Sequence, residues 1–158
     1  MNKRKTQLIT RLRKGGRKTA KILGSLSDEQ WNTVLYDGPP AWTVRDLLAH
    51  FLSAEEGLLR IAQDYLAGGD GAGDGFDVDA YNAAEQQRLA GIPTHKLLAN
   101  LAIARGATIA WVAGLDKADL DRTGRHPVLG EITMEDFVNA IYGHQLLHMR
   151  DLQALFRS

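Results

Sequence analysis

The 158-residue chain has no cysteine. That excludes a disulfide framework, a thiolate metal site and a protein thiol nucleophile. Any sulfur chemistry must use a thiol brought by a cofactor or substrate. No apolar run approaches the roughly 18 residues of a membrane span. No apolar stretch follows the basic N-terminus, so a signal peptide is not expected. A cytoplasmic protein without a membrane partner is the expectation. Formal net charge is zero, so the molecule as a whole steers neither anions nor cations.

What is present is an ordinary globular composition, 44% hydrophobic and 24% charged. The length suits one domain, residues 1–158, with a sizeable core. The charge is unevenly placed. Residues 1–27 carry nine Lys and Arg and no acid, and the remainder carries a balance of −9. The basic segment reads as a helix facing solvent or acidic protein surface; a subunit contact and a nucleic-acid contact are the other readings. Aromatic residues and a recognition motif are missing there, so specific nucleic-acid binding is not expected.

The chain reads as helices joined by loops. Leu8, Leu12, Ile22 and Leu23 suggest a first helix from about Lys5 to Gly24, weakened locally by Gly15-Gly16. Ser27 to Gln30 can open an extra turn with Trp31 beneath it, before Gly38-Pro39-Pro40 breaks the chain. Thr43 is an N-cap with Asp46 reaching back, and Trp42 and Leu47 form a hydrophobic staple. That second helix should run to about Ala67, followed by a Gly-rich loop from Gly68 to Gly75. A short helix from about Val78 to Ala90 and another from a Thr94 cap to near Gly114 follow. Residues 115–132 read as an extended, turn-containing connection. The last helix opens at Thr133 with the device used at Thr43, which is taken as shared capping physics. Four principal helices without convincing strand alternation predict an all-α helical bundle.

The last helix carries the chemistry. Phe137, Ile141, His144, His148, Leu152 and Leu155 step by three or four residues, the spacing of a core-facing stripe. Two imidazoles thus sit where a packed helix prefers Leu, and a divalent metal is an economical shared partner for them. His50 shares a face with Ala54, Gly57 and Ile61, whose small members leave room beside it. It reads either as a ligand or as a boundary histidine bonded to a carbonyl. Asp151, three residues after His148, either orients an imidazole N–H or pairs with Arg150 or the basic helix. Gly143 offers close helix approach or room near the site. His126 is expected as a solvent-exposed loop residue, with substrate contact as the other reading. His95 is assigned no function.

Two blocks carry a resemblance: Trp42-Thr43-Val44-Arg45-Asp46-Leu47-Leu48-Ala49-His50, and Leu129-Gly130-Glu131-Ile132-Thr133 through His144-Gln145-Leu146-Leu147-His148. Together they resemble the DinB/YfiT-like superfamily of metalloenzymes. Asp77-Val78-Asp79-Ala80-Tyr81-Asn82 is similar to the branch near the N-terminal domain of mycothiol-dependent maleylpyruvate isomerase. The resemblance implies an up-down four-helix bundle, often a homodimer. It implies a divalent metal, nickel or zinc, held by His50, His144 and His148. Relatives include transferases and isomerases that use an exogenous low-molecular-weight thiol, and hydrolases. The chain stops at Ser158, so the isomerase's extra C-terminal domain is not expected.

The expected function is that of a metal-dependent enzyme acting on a small-molecule substrate. Its chemistry is thiol-dependent transfer or isomerisation, or hydrolysis by metal-activated water. The alternative is a non-enzymatic metal-binding stress protein or a basic-helix interaction module. No general base is identified, and Asp151 is the candidate for orienting a ligand.

Overall fold

Capping sets the helix boundaries. The computed structural model describes residues 2–157. Helix α1, Lys3–Gly24, starts where the Asn2 side chain accepts from the Arg4 N–H. A capping box at Ser27 opens the short α2, Asp28–Trp31, and buries Trp31. Strands β1, Val34–Tyr36, and β2, Trp42–Thr43, pair antiparallel. Thr43 then caps α3, Val44–Leu66, in a box with Asp46. Helix α4 is Val78–Leu89 and α5 is Thr94–Ala113. A box at Asp116 opens α6, Lys117–Asp121. Strands β3, Thr123–His126, and β4, Gly130–Thr133, pair antiparallel, and Thr133 caps α7, Met134–Leu155.

The expected four-helix bundle is formed by α1, α3, α5 and α7. Helix α5 packs on α1 and α3, and α7 packs on the same two. The order around the bundle is therefore α1–α5–α3–α7, and α1 and α3 are diagonal, as are α5 and α7. Both diagonal crossings use the same parts in the same order: helix, short capped helix, strand pair, helix. The Val44 N–H donates to the Thr33 carbonyl in one, and the Met134 N–H to the Arg122 carbonyl in the other. The likeness of the two helix openings thus extends to whole crossings, further than shared capping. The two strand pairs were not expected from the sequence. They are too short for alternation to register. Thr94 lies inside α5 rather than capping it; the N-cap is Pro93, which makes no side-chain cap bond.

Two apolar clusters fill the bundle. One gathers Leu23, Trp31, Leu47, Phe51, Leu97 and Leu152. The other gathers Leu8, Leu12, Val112, Met134, Phe137 and Ile141. A buried ion pair lies within the same bundle. Arg105 Nε donates to Glu55 Oε1 at 2.5 Å, and its Nη1 donates to the Leu12 carbonyl at 2.9 Å. The pair links α1, α3 and α5. Gly15-Gly16, which costs α1 helical propensity, is what lets this happen. A Cβ on Gly16 would stand 3.2 Å from Arg105 Cγ, and one on Gly15 would stand 2.8 Å from the Tyr142 ring.

An interior charge left without its partner is far costlier than the pair itself. Arg105→Ala is therefore expected to lower stability by about 3–5 kcal/mol. The paired apolar replacement Glu55→Leu with Arg105→Met should recover much of that loss. Urea unfolding of the three proteins checks this; a single variant as stable as the parent would contradict it.

Candidate metal centre

His50 projects from α3, and His144 and His148 from α7. One potential ligand atom from each lies within 4.8 Å of the others. His50 Nε2 and His144 Nε2 are 2.9 Å apart, so without an ion one donates a proton to the other. Two ligands bound to one ion at about 2.0–2.1 Å stand roughly 2.9–3.4 Å apart at angles of about 90–110°. The donor spacing of His50 and His144 fits that range. The histidines of α7 are placed differently from the sequence expectation. Ile141, Gln145, Met149 and Leu152 are buried, whereas His144 and His148 are half-buried. They stand on the flank of the core stripe, and Leu155 at its end is exposed.

The first strand pair positions two of the imidazoles. Trp42 lays its ring over His50 at a centroid distance of 4.9 Å, so it packs on the histidine in addition to opening the helix. His50 Nδ1 is buried without a hydrogen-bond partner, so packing locates this ring. Tyr36 is the residue sequence reasoning missed. Its hydroxyl donates to Asp151 Oδ2 at 2.6 Å and lies 2.7 Å from His148 Nδ1. The hydroxyl has one proton, so it accepts from His148 Nδ1–H. That fixes the tautomer and leaves the His148 Nε2 lone pair free. Asp151 therefore reaches the imidazole through Tyr36 rather than by the direct bond anticipated. Burial and the bond to Asp151 raise the Tyr36 pKa, which keeps its proton in place.

Burial also keeps the imidazoles neutral, the form that binds metal. His50 is lowered to about 3 by burial first, and then by its imidazole neighbours. His144 is lowered to about 4, again chiefly by burial. Burial lowers His148 as well, opposed by the Asp151 charge. Three neutral nitrogen donors with no carboxylate among them suit nickel or zinc.

A cavity of about 790 Å³ opens beside His50 and His144. Its walls come from α3, α4, α7 and the turn between β3 and β4, and they are mostly apolar. Ala54 and Gly57 line it, as their small size on the His50 face suggested, although the Tyr81 hydroxyl lies over Gly57. Gly143 lines it too, and a Cβ there would meet nothing within 4 Å. That glycine gives room rather than close helix approach. His126 is 8% exposed and lines the same cavity, so the solvent-exposed reading is corrected. The β3–β4 turn folds it inward, which its place between Arg125 and Pro127 did not reveal.

The family model of the DinB superfamily matches residues 11–152. The chain belongs to the DinB superfamily. Solved structures of similar fold agree. One is YfiT from Bacillus subtilis, reported as "a probable metal-dependent hydrolase with an unusual four-helix bundle topology". It has a TM-score of 0.75 and 22% identity, over 98% of this chain and 87% of that one. Another is the colibactin self-resistance protein ClbS, solved in complex with a dsDNA, at TM-score 0.71 and 16% identity over 94% of each chain. A third is an uncharacterized protein from Clostridium difficile 630, at TM-score 0.71 and 12% identity over 99% of each. At these identities the likeness is one of fold. No curated protein matches this DinB-superfamily chain in sequence.

The depressed imidazole pKa values fix the sign of a pH effect. Unfolded histidines take up protons below about 6.5, whereas folded His50 and His144 resist until about 3 and 4. The unfolded state binds more protons across that window, so stability is lost as pH falls through it. Metal-free protein should lose up to about 1.4 kcal/mol per pH unit for each imidazole between about pH 6 and pH 4. Urea unfolding at several pH values measures the slope, which should be shallower in His50→Leu. An equal slope in that variant would mean that His50 titrates normally in the folded protein.

Proposed function

We propose that this DinB-superfamily protein is an enzyme that uses a divalent metal, nickel or zinc, to activate a nucleophile against a small organic electrophile. The observation that carries this reading is the convergence of three neutral imidazoles beside an apolar cavity of about 790 Å³. His50, His144 and His148 would hold the ion. Tyr36 and Asp151 would keep His148 in the tautomer that offers Nε2. When bound, the ion acts as a Lewis acid, lowering the pKa of a coordinated water or thiol and polarising an electrophile.

The cavity walls narrow the choice of nucleophile. Among the described lining residues there is no Asp, Glu, Ser or Thr, and the chain has no Cys. The Tyr81 hydroxyl donates to the Ser53 carbonyl and His126 has Nδ1 occupied by the Val128 and Leu129 N–H groups, so this reading takes the nucleophile from outside the protein. The volume is within the range of drug-sized sites, room for an apolar acceptor beside the sulfur end of an exogenous low-molecular-weight thiol. The family resemblance favours thiol-dependent transfer or isomerisation; hydrolysis remains the same site's chemistry with water in place of thiol. The description of the structurally similar YfiT as "a probable metal-dependent hydrolase" supports the metal requirement. A homodimer in the cytoplasm belongs to this reading and rests on the family resemblance. Among the described residues, no helix is long and apolar enough to cross a membrane.

Protein purified without a tag or chelator is expected to carry about one nickel or zinc ion per chain, measured by elemental analysis. His148→Ala should abolish tight binding yet stay folded. Tyr36→Phe should weaken affinity by roughly 10–100-fold through loss of the orienting bond. Turnover of an electrophile panel with glutathione, bacillithiol or mycothiol should vanish on chelation and return with metal. Turnover that survives chelation would overturn the reading.

Specific nucleic-acid binding is not part of this proposal, although ClbS was solved with dsDNA. Several charges of α1 are used within the fold. Arg4 pairs with Glu135 and Asp121, Lys5 donates to the carbonyls of Ala113 and Leu115, and Arg11 donates to Asn139. Titration with duplex DNA at physiological salt should give a dissociation constant no tighter than the non-specific range of roughly 1–100 µM. Tighter binding, lost when Arg13, Arg17 and Lys21 are neutralised, would make the basic helix a nucleic-acid surface.

A further inference from the structure

The turn that closes the second strand pair is Pro127-Val128-Leu129, with His126 opposite Gly130. Gly130 has φ 76°, the left-handed residue that follows a three-residue hairpin loop. This tight return brings two backbone N–H groups onto one imidazole. The Val128 and Leu129 N–H groups both donate to His126 Nδ1, each at 3.1 Å. A nitrogen that accepts cannot carry the ring proton, so the proton is on Nε2. Burial lowers the His126 pKa, which keeps the ring in this neutral form.

His126 is thus a preset donor. Its Nδ1 side is consumed by the turn, its ring is edge-on to Phe137 at 4.9 Å, and it lines the cavity. Nε2–H has no hydrogen-bond partner among the described residues, yet it is not a fully enclosed unsatisfied atom. A polar atom in that position, on a residue 8% exposed that lines the cavity, is open to an acceptor placed there. The other polar groups of the wall differ. The Tyr81 hydroxyl already donates to the Ser53 carbonyl, the Arg60 side chain is 61% exposed beside Glu56, and Asn82 is a half-buried amide on α4 that no hairpin turn presets.

We propose that His126 Nε2–H holds the carbonyl oxygen of an uncharged, largely apolar substrate inside the cavity. This rests on the cavity being the substrate site of the metal-dependent enzyme proposed above. The chemistry of the walls selects the substrate class. At the His126 wall a carboxylate or phosphate would meet a neutral N–H and no buried cationic side chain, and would lose its hydration. A ketone, ester or amide needs only one N–H, such as His126 offers, and its apolar remainder suits the aliphatic and aromatic walls. Because His126 and His144 line one cavity, a carbonyl held by Nε2–H lies in the compartment onto which the candidate metal ligands open.

The test uses metal-free protein and two unreactive probes of matched shape, acetonaphthone and isopropylnaphthalene, which differ in the carbonyl. Failure of the metal reading leaves this experiment interpretable, because neither probe needs the ion. His126→Asn keeps an acceptor where Nδ1 stood, preserving the turn, but removes the distal donor. His126→Gln places an amide N–H near the distal position. The ratio of ketone to hydrocarbon affinity, measured by titration calorimetry, should fall roughly fivefold in His126→Asn and be restored in His126→Gln. The infrared carbonyl stretch of labelled acetonaphthone should lie lower in the parent and in His126→Gln than in His126→Asn. An unchanged ratio and stretch in His126→Asn would show that His126 only supports the turn. Failure of both probes to bind the parent would overturn the substrate class.

Discussion

The pair between Glu55 and Arg105, tied to the Leu12 carbonyl, is the constraint on which the arrangement of helices depends. Apolar surfaces alone allow helices to slide by a turn at modest cost, because one aliphatic contact resembles the next. A buried guanidinium does not allow this. It must meet the carboxylate and the carbonyl together, or the interior holds unpaired charge. One register of α1, α3 and α5 meets that demand. His50 is on the same helix as Glu55, so its height in the bundle is set at the same time. The glycine pair of α1 is part of this constraint, since side chains at Gly15 and Gly16 would crowd Tyr142 and Arg105.

The two diagonal crossings convert that frame into a site. Each must carry the chain across the bundle and deliver a helix start, and each does so with a capped turn and a strand pair ending in a capping Thr. The first crossing sets Tyr36 against His148 and Trp42 against His50. The second sets His126 into the cavity wall. The second crossing therefore lines the cavity together with α3, α4 and α7, while the first places the rings that pack on the histidines. A hairpin turn inside a crossing leaves backbone N–H groups free to fix a side chain, as the turn after His126 does.

Local physics was legible in the sequence and long-range pairing was not. Ser27, Thr43 and Thr133 announce their helices because capping involves residues only three apart, and all three caps are present. The gathering of His50, His144 and His148 followed from helical period together with family resemblance. Glu55 and Arg105 lie fifty positions apart and Tyr36 and His148 more than a hundred, so no local pattern joins them. The same limit explains His126. A histidine before proline reads as an exposed loop until the fold around it is known. Asp151 shows an intermediate case: its face was correctly placed, but the hydroxyl between it and the imidazole came from a strand too short to read.

One residue type performs opposite tasks here, and a single contact decides which. At His148 the Tyr36 oxygen accepts a hydrogen bond from Nδ1–H, so Nε2 presents a lone pair. At His126 two backbone N–H groups occupy Nδ1, so Nε2 presents a proton. Burial lowers the pKa of both rings and prevents a second proton from erasing the difference. The pocket region can therefore offer lone pairs to an ion and a proton to a carbonyl oxygen without containing a charged side chain at either point. In an apolar cavity that matters, because fixed dipoles avoid the desolvation cost that a buried ion would carry. Selecting each tautomer by a neighbour, rather than by ionising a group, lets a chain without cysteine, and a cavity without carboxylates, hold a lone pair and an N–H at fixed points.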